Sequence, residues 1–200
     1  MSSVPQPAGR RERNKQQKLD RITAAASELF AEYGVDEVTT QQIAEKADVG
    51  TGTVFLYAKT KGELLLLVQN ANYSGALERG RTDAENIPDV LEAVMAIVRP
   101  IVRCNRTQID NGRTYLREMV FGNPDEPHHA EALNIVGQTE EAIAGVLRRG
   151  GRVGEADAAT LAHVVSAIMF LAMAATINMA RGVDEIDADI RGQVAALLPH

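Results

Sequence analysis

Between positions 39 and 61 the chain carries hydroxyl, amide and ammonium side chains suited to gripping a polyanion and reading its edges. Thr51 and Thr53 are small hydroxyl donors, Gly52 between them lets a backbone approach closely, and Tyr57 adds a phenol at the far end. Thr39 and Thr40 offer hydroxyls, and free amides if a helix starts there, to a phosphate. Lys61 adds a point charge for a backbone. No catalytic set accompanies them. The chain has no phosphate-binding glycine loop, no CxxC pair and no nucleophile elbow.

Local signals place these side chains on short helices. Thr39-Thr40-Gln41-Gln42 fits a capping box, and Ile43, Ala44 and Ala47 supply an inner face behind it. Asp48-Val49-Gly50 is a tight link, with Gly50 a tolerable N-cap for a second short helix over residues 51–57. Upstream, Leu19, Ile22, Ala26, Leu29, Phe30 and Tyr33 recur every three or four positions, so an amphipathic helix is expected from Asn14 to Tyr33. Gly34 then gives a left-handed stop, with Val35 packing back. Three helices over residues 14–60 make a head whose second short helix is of a size to enter a major groove. Ile43, Ala47, Val54 and Phe55 are expected in its core. The plainer readings are Thr39 as a cap alone and Lys59 and Lys61 as a solvated helix start.

The run Thr39-Thr40-Gln41-Gln42-Ile43-Ala44-Glu45-Lys46-Ala47-Asp48-Val49-Gly50-Thr51-Gly52-Thr53-Val54-Phe55-Leu56-Tyr57-Ala58-Lys59-Thr60-Lys61-Gly62-Glu63-Leu64 resembles, without a gap, the N-terminal domain of TetR-type regulators. That family's pattern is roughly T-x-x-x-I-A-x-x-A-G-V-S-x-G-T-L-Y-x-Y-F-x-x-K-x-x-L. The resemblance implies an all-α protein: a three-helix helix-turn-helix head on a C-terminal helical bundle, about nine helices with those read from periodicity. It implies DNA contacts at Thr39, Thr40, Gln41, Thr51, Gly52, Thr53, Tyr57 and Lys61. Three positions depart from the pattern. Gly50 stands for a Ser that caps, Phe55 for a Tyr whose hydroxyl commonly binds phosphate, and Ala58 for a Phe that packs the head.

Charge is divided along the 200 residues, whose net charge is −6. Residues 10–21 hold six basic side chains against two acidic ones, and every lysine lies at or before position 61. Because screening confines attraction to about 8–10 Å, a basic N-terminus on an acidic body can still bind a polyanion. Residues 1–13 are expected to be a disordered basic arm, with Arg10 to Arg13 reaching a minor groove or tracking phosphates. The single cysteine, Cys104, cannot form an internal disulfide, and no apolar signal stretch opens the chain, so a cytoplasmic setting is expected.

Residues 61–200 are expected to bind an effector and dimerise. Helices are read from Lys61 to about Leu77, from Pro88 to Asn105, over 108–120 and 130–149, and then Asp157 to Ala180 and Asp184 to Leu198. Leu64, Leu65, Leu67, Val68 and Ala71 are placed on the buried side of the first of these. Leu161 to Ala180 lacks Asp, Glu, Lys and Arg and reaches transmembrane length. It is Ala-rich, includes His163, Ser166, Thr176 and Asn178, and lacks basic flanks, so a core or interface helix is expected instead.

By the resemblance, the Asp157–Ala180 and Asp184–Leu198 helices form a homodimer, which predicts a palindromic operator. A small molecule would bind among Met95, Val98, Val102, Tyr115, Met119, Ile135, Thr139, Met169 and Met173, most of which plain core packing explains better. His163 is expected as a hydrogen-bonded core residue. His128 and His129 with Asp125 and Glu126 are a weak metal signal, so no metal or cofactor is expected. The leading expectation is a ligand-responsive, sequence-specific DNA-binding regulator, a repressor and no enzyme. The alternative is a helical small-molecule carrier or enzyme that keeps a helix-turn-helix head.

Overall fold

A computed structural model describes residues 9–151 and 153–198. Nine α-helices and one 3-10 turn follow one another, with no strand among the described residues. Helix α1 (Arg10–Tyr33) buries Ile22, Ala25, Ala26 and Phe30. It begins one turn before the expected Asn14, because Arg, Glu, Lys and Gln are good helix formers and nothing breaks the run after Gly9. Arg10 to Arg13 are therefore its first turn, not part of an arm; residues 1–8 of that arm lie outside the described residues. Gly34 ends α1 at φ 81° and ψ 154°, positive in φ but outside the left-handed helical well that was expected.

Helix α2 (Thr40–Lys46) packs on α1, and α3 (Thr51–Val54) follows after Asp48, whose φ is 51°. Regular helix in α3 stops at Val54 and tight turns carry the chain on to Tyr57, so α3 is shorter than expected. Ile43, Ala47, Val54 and Ala58 close the head's core with α1. Phe55 does not join them: it is 45% exposed. With Ala in place of Phe at 58, the core closes around a smaller side chain.

Helix α4 (Lys61–Ala84) links head and body, packing on α1 at one end and on α5 (Val90–Arg106) and α7 (Pro127–Arg149) beyond. It runs two turns past the expected Leu77, because Ala76, Leu77, Gly80 and Ala84 continue its buried face. A Cβ on Gly80 would come within 2.8 Å of the Ile97 Cα, so glycine sets the close approach of α4 and α5. Leu64, Leu65 and Val68 are buried and Leu67 is half-buried, whereas Ala71 faces solvent.

Helices α6 (Ile109–Phe121), α8 (Glu155–Ala174) and α9 (Val183–Leu197) complete the bundle. Helix α8 was expected to reach Ala180. It stops at Ala174 because side chains take its terminal carbonyls: Asn178 Nδ2 donates to the Ala172 oxygen and Arg113 Nε to that of Ala174. The following turn is Thr176–Asn178, and Arg106 holds the carbonyls of Asn178 and Arg181 beyond it. Only one side of α8 is buried, through Ala158, Ala162, Val165, Met169, Ala172 and Met173. In length and composition α8 could cross a membrane; here that buried side packs on α7 and α9.

Candidate functional site

The head is built to hold α3 outward. At the N-cap of α2 the Thr39 Oγ1 accepts the Gln42 amide (3.2 Å), and Gln42 Oε1 accepts the Thr39 amide (2.8 Å), a complete capping box. Thr40 is half-buried beside it. Gln41 is exposed, its Nε2 resting 3.0 Å from Glu45 Oε1 on the same helix. On α3, Thr51 and Thr53 are half-buried and their hydroxyls make no hydrogen bond among the described residues. A Cβ on Gly52 would meet nothing within 4 Å, so open space lies over the middle of α3.

Two expected contact residues are engaged within the protein. The Tyr57 hydroxyl donates to the Lys15 carbonyl (2.9 Å), tying the end of the α3 segment to α1. Lys61 Nζ donates to the Asp36 carbonyl (2.9 Å), which leaves other ammonium protons for a further acceptor. Arg10, Arg11, Lys15 and Lys18 line one cleft with Thr53, Leu56 and Tyr57. The basic first turns of α1 therefore stand beside α3. Leu56, 81% exposed, lies in the same cleft and was not singled out by its type.

Head and body are fastened at two places. Asn111, at the start of α6, donates from Nδ2 to the Phe30 carbonyl and accepts the Val35 amide on Oδ1, both at 2.7 Å and both buried. At the second place, Lys59 Nζ meets Glu126 Oε1 at 2.5 Å, and His128 Nε2 lies 3.0 Å from the Tyr57 carbonyl. The His128 amide donates to Glu63 Oε1 (3.0 Å). Burial pushes the Glu63 carboxyl above its ordinary range, partly offset by that amide. Glu126 and His128 are thus committed to protein contacts. Among the described residues no group of three or more His, Cys, Asp and Glu could hold a metal ion. His163 is a surface residue, with its side chain 75% exposed and bonded to Glu140 (3.0 Å), and not the core residue expected.

A hydrogen-bonded chain runs from this second fastening into the body. Asn70 Nδ2 donates to the His128 carbonyl and Asn70 Oδ1 accepts the Tyr115 hydroxyl, each at 2.9 Å. Tyr115 lines an apolar cavity of about 70 Å³ between α4, α5, α6, α7 and α8. Of the residues proposed for a ligand, Tyr115, Met119, Ile135, Thr139, Met169 and Met173 surround it. Met95, Val98 and Val102 are wholly buried elsewhere in the core. Helical periodicity cannot separate those two groups, since both face inward. The links from Asn70 to His128 and Tyr115 span 58 and 45 residues and left no local signal.

An exposed second short helix on a compact head, carried by a helical body, makes this a helix-turn-helix protein. Residues 22–68 match the family described as bacterial regulatory proteins, tetR family. That match covers the head, and the chain as a whole shares the fold of solved TetR family regulators. A fatty acid metabolism regulator protein of Bacillus subtilis (strain 168) is 28% identical over 86 residues, 43% of this chain and 44% of that protein. The match thus spans less than half of that relative's length. Among solved structures, FadR of Thermus thermophilus, a TetR family transcriptional repressor in complex with lauroyl-CoA, superposes with a TM-score of 0.71. It is 22% identical, and the match covers 91% of this chain and 96% of that one. RolR in complex with resorcinol gives 0.70 at 19% identity, covering 94% and 90%. At such identities the likeness is one of fold.

Proposed function

We propose that the chain is a dimeric, sequence-specific DNA-binding regulator, a repressor released from a palindromic operator when a small molecule occupies its body. The observation that carries this reading is the outward α3, with unpaired Thr51 and Thr53 hydroxyls and an open backbone at Gly52, flanked by the basic first turns of α1. Threonine hydroxyls reach base edges, and Arg10, Arg11, Lys15 and Lys18 neutralise the adjoining phosphates. Lys61 and Thr40 hold the backbone on the opposite side, and Gln41 reads an adenine edge once it leaves Glu45. Tyr57 acts as a brace that fixes α3 against α1, because its proton is already donated.

Dimerisation uses the side of α8 that the bundle leaves uncovered, where Ala167 and Leu171 are exposed, together with Ala188, Gly192 and Ala196 of α9. A twofold pair of heads requires two half-sites related by symmetry. The effector occupies the cavity around Tyr115, and the Tyr115–Asn70–His128–Tyr57 chain carries its displacement to the head. Release then follows from different effector affinities of the DNA-competent and incompetent arrangements. The lauroyl-CoA of the Thermus thermophilus protein and the apolar lining here favour an effector with an aliphatic chain.

The test is selection of duplexes from a random pool by the purified full chain. Enrichment of one inverted repeat, bound with a steep salt dependence, is expected. Failure to enrich any sequence above the starting pool contradicts the reading.

A further inference from the structure

The cavity of about 70 Å³ is far smaller than the roughly 300–1,000 Å³ of ordinary ligand pockets. A much larger space lies beside it. A surface groove of about 870 Å³ runs between α1, α4, α5 and α6, and Tyr73 lines both the groove and the cavity. The Tyr73 ring stacks on Tyr115, with centroids 4.3 Å apart. Its hydroxyl oxygen accepts Asn105 Nδ2 at 2.7 Å, and its own proton has no acceptor among the described residues. The two sides of this ring differ in chemistry. On the inner side lie Ile101, Leu116, Met119, Ile135, Met169 and Met173. Methionine side chains are unbranched and rearrange readily, so this lining can widen around a guest.

On the outer side the groove is lined by Arg79, Arg99 and Arg103, opposed by Asp83. Arg99 is committed to Glu92 and Asp187. Arg103 makes only a 3.8 Å contact with an exposed Asp184, and Arg79, also exposed, makes no hydrogen bond or ion pair among the described residues. Arg79 also stands near the partition: it lines the groove with Cys104, whose thiol burial pushes up and the Arg79 charge pulls down. A cationic mouth, a free phenolic donor at the threshold and an apolar chamber behind it follow one another in space.

We propose that groove and cavity are two halves of one site for a single-chain amphiphile with an anionic head, and that Tyr73 is the gate between them. The tail passes the displaced ring into the chamber, a carbonyl near the head accepts the Tyr73 proton, and Arg79 and Arg103 hold the negative charge. This rests on the effector reading above and deepens it by naming the ligand class, the mouth and the gate. The anionic group is a carboxylate in a free fatty acid or a phosphate in an acyl-CoA.

Binding of laurate, lauroyl-CoA and dodecanol to the full chain is measured by calorimetry, alongside DNA binding by the same preparation. The two anionic probes are expected to bind more tightly than dodecanol, and their ten-carbon counterparts, decanoate and decanoyl-CoA, to bind about fourfold more weakly per methylene removed. Arg79→Gln with Arg103→Gln, both at the surface, should weaken the anionic probes about tenfold and leave dodecanol unchanged. If only lauroyl-CoA responds, the head is a phosphate; if laurate responds equally, a carboxylate suffices. Tyr73→Ala should speed lauroyl-CoA entry in stopped flow, while Phe170→Ala, at the α6–α8 side of the same cavity, should not. Equal binding of all three probes, insensitivity to the arginine pair, or acceleration by Phe170→Ala alone overturns the proposal. If DNA is bound but no probe binds, this inference fails and the regulator reading stands. If amphiphiles bind and no DNA does, the regulator reading fails instead.

Discussion

His128 Nε2 lies 3.0 Å from the main-chain carbonyl of Tyr57, joining the first turn of α7 to the end of the α3 segment across 71 residues. A carbonyl only accepts, so Nε2 is the protonated nitrogen of this ring. His128→Ala leaves that carbonyl without its donor and should cost about 1 kcal/mol. In a chain of this size that lowers the unfolding temperature by about 2–4 °C. An unchanged unfolding temperature would show that the contact contributes nothing to the fastening.

Asn111 makes a stronger join. Its removal orphans the buried Phe30 carbonyl and Val35 amide together. At about 1–3 kcal/mol for each unsatisfied group, Asn111→Ala should cost about 2–6 kcal/mol in denaturant titration. Asn111→Asp keeps an acceptor for Val35 and should fall between that variant and the parent. Equal midpoints for all three proteins would remove Asn111 from the account of how head and body hold together.

The two caps of the head differ in what they gain from side chains. Thr39 closes a complete capping box, so Thr39→Ala should lose about 1 kcal/mol in thermal unfolding. Gly50 caps α3 with extended backbone (φ −70°, ψ 145°) and no side-chain bond, and a Cβ there meets nothing. Gly50→Ser should therefore be tolerated and gain a few tenths of a kcal/mol. A large loss from that serine would mean the site is more crowded than its geometry shows.

Two carboxylates should respond to pH with opposite sign. Burial raises Glu63 above its ordinary value, so its ionisation opposes folding. Its favourable contribution is complete below about pH 4.3 and is lost as pH rises through the folded value. Glu63→Gln should thus gain stability over the parent as pH is raised. Glu92 is held below its ordinary value chiefly by the Arg191 hydrogen bond, with Arg99 adding to it. Its contribution is present above about pH 4.3 and is lost as pH falls through the lowered value. The pair is partly exposed, so Glu92→Gln should cost only about 0.2–1 kcal/mol at neutral pH. Parallel pH curves for both variants and the parent would contradict both assignments.

The head was the legible part of this chain. Capping residues, the stop at Gly34 and the spacing of Ile43, Ala47 and Val54 act over a few residues, and the structure keeps them, with Gly34 at ψ 154° instead of the left-handed helical value. Boundaries slipped where a tertiary partner decided them. Helix α4 runs on because Gly80 meets α5, and α8 stops because Arg113 and Asn178 take its carbonyls. Phe55 reads as core by type yet stands exposed in a segment whose inner places are filled by Val54 and Ala58. The body cavity was legible only as inward-facing residues, because the chain from Tyr115 to Tyr57 and the shared lining at Tyr73 are contacts between distant segments.

The central claim is that α3 reads base sequence, and the most direct measurement is a specificity ratio. Affinities for the selected inverted repeat and for a scrambled duplex of equal length are compared at one salt concentration, for the parent and for Thr51→Ala with Thr53→Ala. Each lost base contact is worth about 1–3 kcal/mol of discrimination. The double variant should bind the scrambled duplex as the parent does and lose at least about tenfold on the selected one. An unchanged ratio, with both affinities intact, would show that α3 is not the reading element.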